Sequence, residues 1–145
     1  MAGTFDPFTV GHKSIVERGL EMFDRVIVCV GVNAAKLEAD PRIAETAAAR
    51  AEAIAGVFAG DDRVEAIWSD ELTVDVARRC GARFLLRGVR SVRDFEYERD
   101  MADLNHRLAG LETVMLASYP SLACVSSSAV RDIASHGGDV SAFLP

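Results

Sequence analysis

The amino-acid sequence predicts an α/β fold, a doubly wound parallel sheet with helices on both faces. Short runs of β-branched and apolar residues alternate along the chain with segments of helical periodicity. No two strands are joined by the short turn that marks a β-hairpin. The run from Arg25 to Val32 is apolar at nearly every position, as expected for a strand covered on both faces. Strands that alternate with helices in this way form parallel sheets.

The predicted strands are short runs rich in apolar and β-branched residues. They are RVIVCVGV (25–32), VEAIW (64–68), RFLLR (83–87) and ETVMLA (112–117). Ligands of a parallel sheet bind beyond the carboxyl ends of its strands, where the chain passes from strand to helix. The loops to inspect are therefore 3–11, 32–45, 69–72, 87–94 and 118–126.

The predicted helices carry apolar residues at helical spacing, and most of them stop near a glycine. They are HKSIVERGLEMF (12–23), AETAAARAEAIAGVF (44–58), LTVDVARRCG (72–81), RDFEYERDMADLNHRL (93–108) and SSSAVRDIASHGG (126–138). The last helix begins on a serine suited to cap its first turn and stops at two glycines. Because the chain contains no linker or repeat, residues 1–145 are predicted to form one domain.

Composition restricts the possible partners. Half of the 145 residues are apolar and 26% are charged, the profile of a folded protein with a real core. Lys and Arg together number 16 against 22 Asp and Glu, a net charge of −6. A broad nucleic-acid surface needs clustered positive charge, so no nucleic-acid partner is expected. Any anionic ligand must instead be bound by a local group of basic residues.

Cysteine usage and hydropathy indicate the compartment. The three cysteines, Cys29, Cys80 and Cys124, are an odd number, widely spaced and without a CxxC pair. Reduced thiols are the expected state, and metal binding by Cys or His is not expected. No apolar run approaches the length of a membrane span, so no membrane partner is expected. These features predict a soluble cytoplasmic protein.

The loop "GTFDPFTVGH" (3–12) has a composition that suits ligand binding better than packing. Gly3 and Gly11 allow the backbone to approach a ligand, and Asp6-Pro7 predicts a turn. His12 then falls at the start of the first helix, where free N–H groups and the helix dipole favour a phosphate. The dipole also favours a neutral imidazole that donates one hydrogen bond. The alternative is an ordinary surface histidine near a helix start.

Basic residues occur in two further loops. Lys36 is the only lysine after Lys13 and lies in the second loop, where it either meets a ligand or is simply solvated. In the fourth loop, "RGVRSVRDFEYE" (87–98) places three arginines next to a glycine, and guanidinium groups match the geometry of phosphates. The alternative is a structural cluster of ion pairs with the acidic residues that follow.

The fifth loop leads into three consecutive serines, 126–128, at the start of a helix. One serine is enough for an N-cap, and three hydroxyls beside free N–H groups make a second anion site. Two helix N-termini, a lysine and an arginine cluster at one edge of the sheet predict a pocket for a polyphosphate and a second anion. No Walker lysine loop, GxGxxG segment or catalytic triad competes with this interpretation.

"GTFDPFTVGH" and "VSSSAVR" together resemble the signature pair of the nucleotidyltransferase superfamily, a T/HxGH segment and an SSS/T segment. Further motifs resemble one family of it, the bacterial phosphopantetheine adenylyltransferases. These are FDxxIV after the first helix, LLRGVRSVRDFEYE, Asn105 in MADLNHRL, and the closing GGDVSAFLP. The resemblance runs over essentially the whole chain and implies a Rossmann-like nucleotidyltransferase fold.

The resemblance implies a reaction as well: ATP and 4′-phosphopantetheine give dephospho-coenzyme A and pyrophosphate, a step of coenzyme A biosynthesis. It implies Mg²⁺ with ATP as cosubstrate and a homo-oligomer, a hexamer. His12 would be catalytic and contact the α-phosphate, and Thr4 would orient both reacting phosphates. Acceptor-binding positions carried over from the family are Thr4, Lys36, Thr73, Val74 and Arg87. ATP-binding positions are Thr4, Phe5, His12, Gly88, Val89, Arg90, Glu98, Leu122, Val125, Ser126, Ser127 and Ser128. No residue is assigned as a metal ligand.

Two features depart from the family pattern. Only Met1 and Ala2 precede Gly3, too few for a central strand of about five residues, so we expect the printed start to lie inside a longer strand. "SLAC" (121–124) stands where relatives carry aromatic residues near adenine, and there Leu122 would pack on the base.

Two alternative functions remain. One is another nucleotidyltransferase of the superfamily, although such enzymes typically carry histidine where this chain has Thr9. The other is a nucleotide-binding relative without activity.

Overall fold

The computed structural model describes the whole chain, Met1 to Pro145. It contains five strands and six α-helices that alternate for most of the chain. The strands are β1 (Ala2–Gly3), β2 (Val26–Gly31), β3 (Val64–Ser69), β4 (Phe84–Val89) and β5 (Glu112–Ala117). The helices are α1 (Val10–Gly19), α2 (Ala34–Ala39), α3 (Arg42–Val57), α4 (Thr73–Arg79), α5 (Val92–Ala109) and α6 (Ser127–Ser135). Short 3-10 helices occupy Pro120–Leu122 and Ser141–Phe143.

All strand pairs are parallel, as predicted, but the sheet consists of two hydrogen-bonded parts. One part has the order β1-β2-β3 and the other pairs β4 with β5. β1 contacts β4 without pairing to it, so the order across the molecule is β3-β2-β1-β4-β5. The expected single sheet is interrupted because β1 has only two residues. This order has its switch point between β1 and β4, where doubly wound folds bind nucleotides.

The main core lies around β2, between α1 and α3. Val28 and Val30 of β2, Val16 of α1 and Ile54 of α3 have almost no exposed surface. A smaller cluster joins α4 to β4 and contains Val74, Ala77, Leu85 and Leu111. α5 is different, because Glu98 is its only buried residue. Most of the buried apolar surface therefore lies between β2 and the two helices that cover it, whereas α5 remains largely exposed to solvent.

The predicted elements agree with the structure except at particular boundaries. α1 runs from Val10 to Gly19, earlier at both ends than the predicted 12–23. The predicted loop 32–45 contains α2, which begins where the Asn33 side chain accepts hydrogen bonds from the next turn. β4 continues through Val89, so the first three residues of the predicted loop 87–94 belong to a strand.

The cysteines are all free thiols, of which Cys29 is buried and Cys124 is exposed. None of the helices has the length and apolar composition needed to cross a membrane.

Gly88 is required by the packing of α1 on β4. A Cβ added at Gly88 would lie 2.9 Å from Cγ1 of Ile15, whereas one added at Gly56 in α3 has no heavy atom within 4 Å. We predict that Gly88→Ala lowers the free energy of unfolding by about 1–3 kcal/mol through overpacking. Gly56→Ala should raise it by about 0.5–1 kcal/mol, because alanine favours the helix.

Urea unfolding followed by circular dichroism measures both effects. Ile15→Ala should cost less stability in the Gly88→Ala background than in the wild type, because it also removes the overlap with the new methyl group. Equal stability of the Gly56→Ala and Gly88→Ala variants would contradict the packing role of Gly88.

Candidate active site

A cavity of about 360 Å³ lies at the carboxyl ends of β1 and β4. Its walls come from the loop after β1, the starts of α1 and α6, the end of β4 and the first turns of α5. The site residues expected from the sequence that line it are Thr4, Phe5, His12, Arg87, Gly88, Arg90, Glu98, Leu122, Val125, Ser126, Ser127 and Ser128. Residues from distant parts of the chain thus share one cavity at the topological switch point of the sheet.

A reciprocal capping box fixes the orientation of His12. The Thr9 hydroxyl accepts from the backbone N–H of His12 at 3.4 Å. The backbone N–H of Thr9 donates to Nδ1 of His12 at 3.0 Å, and the Thr9 hydroxyl lies 3.0 Å from the same nitrogen. Nδ1 is therefore an acceptor, and a neutral imidazole must carry its proton on Nε2. Histidine takes the place that Glu or Gln usually has in this motif.

The surroundings of His12 keep its imidazole neutral. Burial lowers the pKa of His12 from 6.5 to about 4, and the positive charges of Arg90 and Arg87 add to the effect. Phe5 meets the imidazole edge-on with ring centroids 5.1 Å apart, and Phe8 stacks on it at 5.5 Å. At neutral pH His12 is thus a hydrogen-bond donor with a fixed direction and no charge. An ordinary surface histidine would have neither property.

The two arginines of the cavity are each paired with a carboxylate of α5. Arg87 makes a bidentate pair with Glu98, at 2.6 and 2.5 Å, and also donates to the carbonyl of Ala2. Arg90 makes a similar pair with Asp94 at 2.9 and 3.3 Å. The ion-pair cluster that the sequence left as an alternative therefore exists.

The ion pairs do not exclude ligand binding. A guanidinium group has five N–H donors, and each of these two keeps some of its donors free while it lines the cavity. The carboxylates hold the guanidinium planes in place before an anion arrives. Both carboxylate oxygens of Glu98 are already engaged with Arg87.

The three serines at the start of α6 have different roles in the structure. Ser126 is the N-cap, and its hydroxyl accepts from the N–H of Ala129 at 3.1 Å. The hydroxyl of Ser127 donates to the carbonyl of Pro7 at 2.8 Å and so ties α6 to the first loop. Ser128 accepts a long hydrogen bond from Arg131. The hydroxyl protons of Ser126 and Ser128 and the first N–H groups of α6 remain free to bind an anion.

A second cavity of about 240 Å³ adjoins the first and shares Thr4, Arg87 and Glu98 with it. Thr73 lies in its wall, together with residues that the sequence analysis did not assign to a site: Tyr97, Met101, Asn105 and Thr113. The hydroxyl of Thr113 is buried without a hydrogen-bond partner. The spacing 97, 101, 105 places three of these residues on one face of a helix, a signal that the sequence contained.

Three expected site residues lie outside both cavities. Lys36 is exposed on α2 and lines neither of them. Val74 is buried in the small core cluster below α4. Val89 is the last residue of β4, and its carbonyl accepts from the N–H of Ser118 at 2.8 Å. The roles expected for these three residues remain predictions.

Acidic groups that could bind a metal ion are few at the site. No cluster of three or more His, Cys, Asp or Glu side chains with that capability occurs in the chain. The two carboxylates in the cavity wall, Asp94 and Glu98, are both paired with arginines. These residues do not form a cage for a cation. An ion at this site would take its ligands from a bound phosphate and from water, as Mg²⁺ commonly does.

Comparison with known proteins assigns the chain to a family. A family model described as cytidylyltransferase-like matches residues 1–133. The phosphopantetheine adenylyltransferase of Porphyromonas gingivalis is 49% identical over 144 residues, which cover 99% of this chain and 91% of that protein. The chain belongs to the phosphopantetheine adenylyltransferase family. Other members, from Bacteroides thetaiotaomicron and Cytophaga hutchinsonii, are 43% and 44% identical and are matched over 91% and 93% of their length.

A solved structure supports the fold of this phosphopantetheine adenylyltransferase family member. A bifunctional NMN adenylyltransferase/ADP ribose pyrophosphatase from Francisella tularensis matches with a TM-score of 0.58. The match is 16% identical and covers 99% of this chain but only 43% of that protein. At this identity the likeness concerns the fold alone. The predicted Rossmann-like nucleotidyltransferase fold is thus confirmed. The likeness does not indicate that this chain uses the same acceptor substrate as that protein.

The low pKa of His12 predicts a pH-dependent stability. The unfolded chain binds a proton at His12 below pH 6.5, whereas the folded chain does so only below about pH 4. Between these values the unfolded state holds more protons, so stability falls as pH falls. The contribution of His12 amounts to about 3 kcal/mol, present in full above pH 6.5.

Urea unfolding across this pH range should therefore show a smaller loss for His12→Gln than for the wild type. A variant at the exposed His106, His106→Gln, should behave like the wild type. An equal pH-dependent loss in wild type and His12→Gln would contradict a neutral buried imidazole.

Proposed function

We propose that this chain transfers the adenylyl group of ATP to 4′-phosphopantetheine, which yields dephospho-coenzyme A and pyrophosphate. The observation that carries the proposal is the neutral His12, whose Nε2–H lies in a cavity lined by two arginines and two helix N-termini. Family membership supplies the identity of the substrates. In the reaction, an oxygen of the acceptor phosphate attacks the α-phosphorus, and the bond from that phosphorus to the oxygen bridging to the β-phosphate breaks.

His12 acts as a hydrogen-bond donor to the α-phosphate. Negative charge on its oxygens is redistributed as the new bond forms, and a donor already aimed at them stabilises the transition state without reorganisation. The attacking phosphate is already an anion, so the reaction needs no general base. The exposed Thr4 lies at the junction of the two cavities, where it can orient both reacting phosphates. Catalysis then depends on positioning and charge stabilisation.

The substrates would occupy the two joined cavities. We place the triphosphate of ATP against Arg90 and the first turns of α1 and α6, with the base next to Leu122 and Val125. The acceptor phosphate would meet Arg87, which faces both cavities, and the pantetheine arm would extend along Thr73 into the second one. Lys36 would reach that phosphate only if α2 moves toward the cavity. Glu98 would act through Arg87, since both of its oxygens bind that guanidinium group.

Mg²⁺ would enter with ATP. When bound, the ion neutralises part of the charge of the phosphates and so makes pyrophosphate a better leaving group. The phosphates and water would supply most of its ligands, because no acidic cage is present among the chain's own residues. The free donors of Arg90 and of the α6 N-terminus would bind the phosphate oxygens that the ion leaves uncovered.

We also propose that the chain works as a homo-oligomer in the cytoplasm, a hexamer by family resemblance. α5 supports the oligomer, because it exposes large apolar side chains along its length. These are Val92, Phe95, Tyr97, Leu104 and Leu108. Exposed apolar surface of this extent on a single helix is typical of a contact between subunits. A second subunit packed there would lie next to the cavity that Tyr97 lines.

The role of His12 predicts a separation of binding from turnover. His12→Ala should lower kcat by about two to three orders of magnitude, while the dissociation constant for ATP changes little. Pyrophosphate release measures turnover, and calorimetry measures ATP binding. The wild type should release pyrophosphate with 4′-phosphopantetheine and not with nicotinamide mononucleotide. Release only with the mononucleotide would favour another superfamily activity, and ATP binding without turnover on either acceptor would favour an inactive relative.

The oligomer proposal predicts that a charge on α5 separates the subunits. Leu104→Glu and Leu108→Glu should shift the mass measured by light scattering after gel filtration toward that of one chain. Leu144→Glu, at an exposed apolar residue outside α5, is the matched control and should leave the mass unchanged. A wild-type mass equal to one chain would refute the proposal.

A further inference from the structure

Arginines from three separate elements bind the backbone of β1 and of the loop that follows it. Arg87 of β4 donates to the carbonyl of Ala2. Arg50 of α3 donates to the carbonyl of Thr4 at 2.5 Å. Arg131 of α6 donates to the carbonyl of Asp6. Every second carbonyl from Ala2 to Asp6 therefore accepts a hydrogen bond from a guanidinium group, an arrangement that we call the carbonyl clamp.

The loop needs such external support because it has little of its own. Residues 4–9 belong to no helix or strand. Within them Phe5 has a φ of 45°, in the left-handed region that non-glycine residues rarely adopt, and its ring is buried. A residue keeps such a conformation only where its surroundings determine it. The bond to the carbonyl of Thr4 fixes the peptide before Phe5, and the bond to the carbonyl of Asp6 fixes the peptide between Asp6 and Pro7.

The loop in turn positions the catalytic imidazole. The Phe5 ring contacts His12 edge-on, Phe8 stacks on it, and Thr9 provides the bonds that select its tautomer. A shift of the loop therefore moves the donor relative to the α-phosphate. Continuous contacts connect the guanidinium groups of the carbonyl clamp with the imidazole.

Arg50 and Arg131 are the two members of the carbonyl clamp that touch neither cavity. Arg131 closes the VSSSAVR motif but was given no role from the sequence, and Arg50 lies in no motif. Both bonds cross long stretches of sequence, from residue 50 to residue 4 and from residue 131 to residue 6. Exposed arginine contacts contribute little to global stability, whereas catalysis is sensitive to displacements of about 1 Å. The effect of these residues should therefore be larger on turnover than on unfolding.

We propose that Arg50 and Arg131 are positioning residues that hold the loop, and through it His12, in the geometry required for adenylyl transfer. This inference rests on the proposed function. Neither residue lines either cavity. Each one acts by fixing a carbonyl of the loop whose other residues contact the imidazole.

The test compares Arg50→Ala and Arg131→Ala with Arg42→Ala. Arg42 also lies on α3, but it pairs only with the neighbouring Asp40 on the surface. We expect the two clamp variants to lower kcat by up to about a hundredfold with little change in KM for ATP, and Arg42→Ala to match the wild type. Arg50→Lys should recover part of the loss, because an ammonium group can donate to the same carbonyl.

A double-mutant cycle shows whether the effect passes through His12. In the His12→Ala background, Arg50→Ala should cause little further loss of kcat. The same fold loss in both backgrounds, or a rise in KM for ATP without a fall in kcat, would overturn the proposal.

A readout without substrate separates failure of this inference from failure of the proposed function. The imidazole resonances of His12 should move in Arg50→Ala and Arg131→Ala and stay in place in Arg42→Ala. If the wild type transfers no adenylyl group, the proposed function fails, while these resonances still decide whether the carbonyl clamp positions His12. Unchanged resonances in both clamp variants would overturn the inference.

Discussion

The exchange of hydrogen bonds between Thr9 and His12 is the constraint on which the site depends. These hydrogen bonds cap the N-terminus of α1, a helix that packs in the main core. They also occupy Nδ1 of His12, so the neutral imidazole carries its proton on Nε2. A residue that caps a helix is held as firmly as the helix itself. The chain thus uses a structural motif to set the tautomer of an imidazole that lines the cavity. Burial between Phe5 and Phe8 then keeps this state neutral at physiological pH.

The cavity also brings donor groups together in an acidic protein. With a net charge of −6, the chain has no general attraction for anions. Two of its arginines, Arg87 and Arg90, instead line the cavity beside two helix N-termini. Carboxylates of α5 hold these arginines, which lowers the entropy lost when a phosphate binds. Glu98 is the clearest case, because it is buried and both of its carboxylate oxygens accept hydrogen bonds from Arg87.

Local sequence patterns were sufficient for most elements of the fold. β5 matches its prediction residue for residue, and Ser126 caps α6 as its position in the sequence indicated. α2 was missed because it is only six residues long and lies within the predicted loop 32–45, so its periodicity was too short to recognise. The sheet was expected to be continuous, and the two residues of β1 are too few to pair on both sides.

The site was predictable to the extent that its residues follow strands or begin helices. His12, Arg90 and the serines meet these conditions, Arg87 ends the predicted strand and lies inside the observed β4, and all of them share one cavity. The hydrogen bonds from distant residues that hold the site in place could not be predicted from the sequence. The bond from Arg50 to Thr4 depends on how α3 packs on the sheet, which no local pattern encodes. Lys36 lies in solvent on α2, and its expected contact with the acceptor stays a prediction.

The most direct test of this account is the protonation state of the His12 nitrogens. Nitrogen NMR of histidine-labelled protein at neutral pH, with the signal assigned by its absence in His12→Ala, distinguishes the two neutral tautomers from the imidazolium ion. The account predicts an unprotonated Nδ1 and a protonated Nε2. A proton on Nδ1, in either the other tautomer or the cation, would contradict it.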